Sequence, residues 1–211
     1  MISPPTRASR SSFVVPALSD TGRLLRDLAR VLREGRRRWY VFGAQAVIAH
    51  GLPRATADVD VTLKLDPEDP AHFVDEMKRA GFDLRVDDPD DFIRRTRVLP
   101  FVHGATAMPL DVVLAGAGLE DQFLERAVEI DFEGERIPVI SASDLVVAKI
   151  LAGRAKVLED VRNLLRTQGS RLELQRIRSV LGQLEEGLGQ SDLLPSFERL
   201  LAGGSGPSRL R

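Results

Sequence analysis

Residues 39–65 read WYVFGAQAVIAHGLPRATADVDVTLKL, and the changes of periodicity inside this stretch decide the fold. Trp39 to Gly43 is a short aromatic and β-branched run ending in glycine, the pattern of a strand that runs into a tight turn. The following AQAVIAHG reads as a short helix closed by Gly51. Then Val59, Val61, Leu63 and Leu65 alternate with Asp58, Asp60, Thr62 and Lys64. That two-residue period is a strand with one apolar face and one face carrying carboxylates.

Upstream, Leu24, Leu25, Leu28, Val31 and Leu32 fall at helical spacing between Asp20 and Gly35, an amphipathic helix with its own start and stop. Downstream, Pro70 to Ala80 reads as a helix with Phe73, Val74 and Met77 on one face. Phe92 to Ala115 suggests strands around RVLPFVHG and PLDVVLAG, turning near Gly104. Leu119 to Ala127 is helical, and VEIDFEGERIPVI is a hairpin turning at Glu133 and Gly134. Beyond Ile140 only helical patterns follow, the first opening with the capping pattern Ser141-x-x-Asp144. The expectation is an α/β (α+β) fold: a small mixed sheet flanked by helices, then a helical C-terminal subdomain, with a cleft between them. The expected divisions are a disordered tail over 1–18, a core over 19–140, helices over 141–202 and a second tail over 203–211, because both ends are rich in Ser, Gly and Pro.

Composition narrows the function classes. A chain of 211 residues with 43% hydrophobic and 29% charged residues has enough apolar material for a core. Its net charge of −1 excludes a uniformly basic nucleic-acid surface, so a polyanion would have to meet a local patch. Only four of the 30 basic residues are lysine, a skew that fits GC-rich coding better than a binding device. Zero cysteines exclude disulfides, thiolate metal sites and a cysteine nucleophile. The first residues lack an apolar signal core and no stretch approaches the ~20 apolar residues of a membrane span, so a cytoplasmic protein is expected.

The chemistry lies in one spacing, Gly43-Ala44 followed by Asp58-Val59-Asp60. Residues i and i+2 of a strand project from one face, so the two carboxylates look in one direction. Their repulsion and lost hydration are both offset by a divalent cation, and an oxygen-only donor set points to Mg²⁺ or Mn²⁺. A strand-Gly-helix junction presents backbone N–H groups to phosphate oxygens. Asp111, isolated among Leu110, Val112, Val113 and Leu114, would complete the set from a neighbouring strand. Two metals on three carboxylates can activate a hydroxyl and stabilise a pyrophosphate leaving group.

FGAQAVIAHGLPRATADVDVTLKL resembles the glycine-turn and DxD signature of the DNA polymerase β-like nucleotidyltransferases. With DLVVAKILAGRAKVLEDV further on, the order of motifs is similar to AbiEii/AbiGii-type toxins of that superfamily, over about Trp39 to Leu165. The resemblance implies transfer of a nucleoside monophosphate from an NTP to an acceptor hydroxyl, with tRNA or another RNA as acceptor and an antitoxin as protein partner. It places Gly43 and Ala44 at the phosphate turn, Asp58, Asp60 and Asp111 at the catalytic metals, and Arg54, Thr56, Lys149 and Asp160 around the nucleotide. Two departures stand out: Ala44 replaces the usual Ser or Gly and removes a hydroxyl donor, and Val157 stands where relatives often carry an acid.

Plainer roles compete with these. Asp58 and Asp60 fit a solvated strand face, Asp111 fits a pairing with Arg95 or Arg97, and Lys156 with Asp160 fits an i,i+4 ion pair. Arg54 suits a phosphate clamp or a brace against an acid. Arg36 to Arg38 suit an RNA contact or a solvated helix end. His50, His72 and His103 form no metal-spaced set. The acceptor stays open between RNA and a small molecule or protein side chain, as does a third reading in which the chain binds nucleotide without turnover.

Overall fold

The computed structural model describes residues 17–66, 69–153 and 155–204. Most of the expected N-terminal tail, residues 1–16, and residues 205–211 of the C-terminal one lie outside the described residues; Gly203 and Gly204, expected in that tail, instead end the last helix. Helix α1 (Asp20–Glu34) begins where the Ser19 hydroxyl accepts the Gly22 N–H, and it buries Leu24, Leu25, Leu28 and Leu32 against the sheet.

Seven strands, β1 (Trp39–Phe42), β2 (Val59–Leu63), β3 (Phe82–Leu84), β4 (Val98–His103), β5 (Met108–Leu114), β6 (Val128–Phe132) and β7 (Glu135–Val139), form one sheet among the described residues, in the order β3-β4-β5-β2-β1-β7-β6. The β2–β5 and β1–β7 pairs are parallel and the others antiparallel. Val59, Val61 and Leu63 are fully buried, which realises the alternation read in β2. Helices α2 (Gly43–Ala49), α3 (Pro70–Arg79), α4 (Pro89–Thr96) and α5 (Leu119–Arg126) connect the strands. After Ile140 come α6 (Ala142–Ala152), α7 (Ala155–Gln168), α8 (Leu174–Leu188) and α9 (Leu193–Gly204). Phe73, Phe82, Phe101 and Phe197 are the bulkiest fully buried side chains of a core that is continuous from sheet to C-terminal helices.

The strands read around RVLPFVHG and PLDVVLAG are β4 and β5, while the stretch that begins at Phe92 opens in a helix. Residues 92–96 belong to α4, which Pro89 and the Asp88 carboxylate start and Arg97, at φ 58°, ends. Strand β3, only three residues long, was not read at all. The Ser141 capping pattern is realised, and it is tied to a larger cluster. Ser141 Oγ accepts the Asp144 N–H (3.1 Å) and donates to Asp144 Oδ2 (2.7 Å). The fully buried Asp144 carboxylate also pairs with Arg126 of α5 (3.2 Å) and Arg176 of α8 (3.1 Å), which pins three helices together. Gly153, at φ 65°, closes α6, so Lys149 and Asp160 stand on two different helices. No described helix is long and apolar enough to cross a membrane.

Candidate active site

Strand register brings the acids together. Asp60 on β2 sits opposite Phe42 on one side and Asp111 on the other, and Asp111 sits opposite Pro100 of β4. Neighbours in register share a face at a strand spacing of about 4.8 Å, so Asp60 and Asp111 project together. Asp58 immediately precedes β2. Thr56 Oγ1 donates to its carboxylate, and Gln45 Nε2 donates to its carbonyl (3.4 Å).

Gly43 joins β1 to α2 at φ +66°, and a Cβ there would overlap the Asp60 carboxylate. Glycine is therefore required twice, for the left-handed backbone and for the close approach. Among the described residues no side chain caps the start of α2, which leaves its first N–H groups without a side-chain acceptor there. Phe42, Gly43, Ala44, Arg54, Ala55, Thr56, Asp58 and Asp60 line one wall of a cleft of about 620 Å³. Leu145, Ala148, Lys149 and Ala152 of α6 form the other wall, between sheet and C-terminal helices.

Burial pushes the Asp60 carboxyl up to about 6, with the Asp58 and Asp111 charges adding to the shift and Lys149 and Arg54 opposing it. The buried Lys149 donates Nζ to Asp160 Oδ2 (2.8 Å), and Arg54 donates to the same carboxylate oxygen. Asp160 thus holds Lys149 and Arg54 at the cleft without lining it, and its pairing with Lys149 runs across two helices. The side chains of Lys156 and Val157 lie outside the described residues.

Asp111 does not reach the cleft wall. Its carboxylate accepts from Arg85, next to the end of β3, rather than from Arg95 or Arg97. Arg95 pairs with Asp91 (2.8 Å), and Arg97 donates to the carbonyls of Leu114 and Ala115 (both 3.0 Å). Among the described residues, no three His, Cys, Asp or Glu side chains are drawn into a cluster ready to hold a metal. Two of the acids are instead held by Thr56 and Arg85. In donor type the three carboxylates suit a hard, oxygen-bound divalent cation, and the raised Asp60 pKa marks the negative charge that such a cation would offset.

The remaining candidates take structural places. His50 Nε2 contacts the Ile140 carbonyl (2.8 Å), and burial lowers its pKa. His103 is buried between Thr106 (2.8 Å) and Asp27 (3.3 Å), while His72 is exposed beside Asp69. Arg37 is tied to Asp69 (3.1 Å) and Glu76 (2.6 Å), and Arg36 to Arg38 precede β1 at the end remote from Gly43. Arg85 is the site residue that sequence reading missed, because nothing marked β3 as a strand.

This sheet and the α2 junction are the fold of nucleotidyltransferases. The chain belongs to the family described as "Nucleotidyltransferase of unknown function (DUF6036)", which matches residues 23–185, and it is a nucleotidyltransferase. A search of curated proteins finds no sequence match. The solution structure of the antibiotic-resistance factor ANT(2″)-Ia is similar at TM-score 0.55 and 14% identity, over 81% of this chain and 97% of that one. The crystal structure of ANT(2″)-Ia in complex with adenylyl-2″-tobramycin is similar at TM-score 0.54 and 14% identity, over 77% and 97%. An antigenic nucleotidyltransferase-like protein from Paracoccidioides brasiliensis aligns at TM-score 0.52 and 16% identity, over 83% and 91%. At these identities the likeness establishes the fold.

Proposed function

We propose that the protein moves a nucleoside monophosphate from an NTP to an acceptor hydroxyl. The acceptor oxygen bonds to the α-phosphorus, the bond to the β-phosphate oxygen breaks, pyrophosphate leaves, and the hydroxyl proton passes to Asp111 or water. The observation that carries this reading is the in-register placement of Asp60 beside Asp111, with Asp58 two residues away and Gly43 against Asp60. Asp58, Asp60 and Asp111 would hold Mg²⁺ or Mn²⁺. Bound there, the cation would neutralise phosphate charge and would lower the pKa of the attacking hydroxyl. Gly43 and Ala44 present backbone N–H groups to the triphosphate, and Lys149 and Arg54, held by Asp160, balance its charge. Thr56 orients Asp58.

For the acceptor, the motif order shared with AbiEii/AbiGii-type toxins supports a tRNA or another RNA, in a cytoplasmic toxin restrained by an antitoxin. A second reading, a small-molecule hydroxyl, is supported by where the basic charge lies. Arg36 to Arg38 sit at the far end of β1, and Arg37 is consumed by Asp69 and Glu76. The adenylyl-2″-tobramycin complex of ANT(2″)-Ia supports the same reading, since nearly all of that chain is matched. The test is label transfer from each α-labelled NTP, with Mg²⁺, to total RNA and separately to a panel of hydroxylated small molecules. Label on a tRNA-sized band supports the toxin reading, and label on a small molecule supports the second. NTP binding with no pyrophosphate release under any condition would sink both and leave a binding module, consistent with the missing hydroxyl at Ala44.

A further inference from the structure

Arg85 extends the row of the sheet that holds the acids. Leu84 of β3 pairs with Phe101 of β4, and the Arg85 N–H donates to the Pro100 carbonyl (2.8 Å), so Arg85 stands opposite Pro100. Pro100 in turn stands opposite Asp111, and Asp111 opposite Asp60. Side chains aligned across neighbouring strands share a face. Pro100 is short, and the Arg85 guanidinium reaches the Asp111 carboxylate two strands away. Both partners are half-exposed, at 38% and 39%, so a small ion in solvent has access to the same oxygens.

We propose that Arg85 is a built-in counter-ion that occupies the cation position at Asp111. It separates metal loading into two steps: a first ion taken by Asp58 and Asp60, and a second that binds at Asp111 only as the guanidinium is displaced. This inference rests on the metal-dependent reading above. Two observations support it independently of Arg85's contact alone: Asp60 and Asp111 share one face by register, with Asp58 just ahead of β2, yet among the described residues the acids do not form a drawn-together cluster. The Arg85 guanidinium on Asp111 accounts for that carboxylate standing apart from the cleft wall. Arg85 is a positioning residue in this account, acting through Asp111.

Mn²⁺ binding tests the inference without any turnover. Free Mn²⁺ would be followed by electron paramagnetic resonance during titration of the wild type, Arg85→Gln, Arg85→Lys, and Arg85→Gln combined with Asp111→Asn, with circular dichroism confirming that each is folded. The expected result is one tighter and one weaker site in the wild type, with the weaker site tightened about fivefold or more in Arg85→Gln, since a competing ion pair and a neighbouring positive charge are both removed. Arg85→Lys should stay close to the wild type, and the double variant should lose the second site. Equal second-site affinity in wild type and Arg85→Gln would overturn the role of Arg85 while leaving the metal reading intact. No Mn²⁺ bound by any of the four would overturn both.

Discussion

Replacing Asp60 by Asn should stabilise the metal-free protein. The carboxylate is half-buried between Asp58 and Asp111 and against Gly43, and its pKa stands at about 6, up from 3.8. A folded-state pKa above the unfolded value means that the folded state binds the proton more tightly, so ionised Asp60 opposes folding above pH 6. A shift of roughly two units corresponds to at most about 3 kcal/mol at pH 7.5. The penalty falls to about 1.5 kcal/mol at pH 5 and to about 0.5 kcal/mol at pH 4, as the folded carboxyl takes up its proton. Asn keeps the shape and removes the charge. Thermal or urea melts with EDTA should therefore show Asp60→Asn more stable than wild type at pH 7.5, with the gap narrowing steadily to pH 4. For a chain of this size, about 3 kcal/mol corresponds to a Tm rise of about 6–12 °C. Adding Mg²⁺ should raise the wild-type Tm and leave Asp60→Asn unmoved. A variant less stable than wild type at pH 7.5, or a gap that does not change with pH, would refute the argument that these acids form a strained, cation-seeking set.

Other substitutions probe the supporting parts. Gly43→Ala forces a Cβ onto the Asp60 carboxylate at a left-handed backbone position, so a melt should show a loss of about 1–3 kcal/mol and pyrophosphate release should fall to background. Asp144→Ala leaves Arg126 and Arg176 without their shared buried partner and should cost about 3–5 kcal/mol in urea unfolding, although Asp144 lies outside the cleft wall. Lys149→Met takes one of its cations away from Asp160; the expected outcome is a stability loss of about 1–3 kcal/mol and NTP binding weakened at least tenfold, read by melts and by calorimetry.

The parts of this site that were legible from sequence are those whose signal is local. Alternation around Asp58 and Asp60, the glycine at 43 and the capping pattern at Ser141 each depend on neighbours within a few positions. Asp111 was legible as an isolated acid in an apolar strand, but its partner was not, because pairing with Arg85 depends on how β3, β4 and β5 align. Three residues of β3 are too few to show a period, and α4 was hidden because its capping Asp88 and Pro89 lie upstream of the apolar residues that suggested a strand. The break at Gly153 changes the meaning of the late motif: Asp160 meets Lys149 across a helix junction and Arg54 from the far side of the cleft. Such long-range charge pairings carry no signature in a single chain.

The central claim is that the carboxylates at 58, 60 and 111 support nucleotidyl transfer. It is tested most directly by pyrophosphate release and α-label transfer with Mg²⁺, comparing the wild type with Asp60→Asn, the variant expected to be the more stable of the two. Transfer by the wild type that is lost with EDTA and absent in a fully folded Asp60→Asn is the predicted result. Equal transfer by a folded Asp60→Asn would place the chemistry elsewhere on the protein and contradict the account.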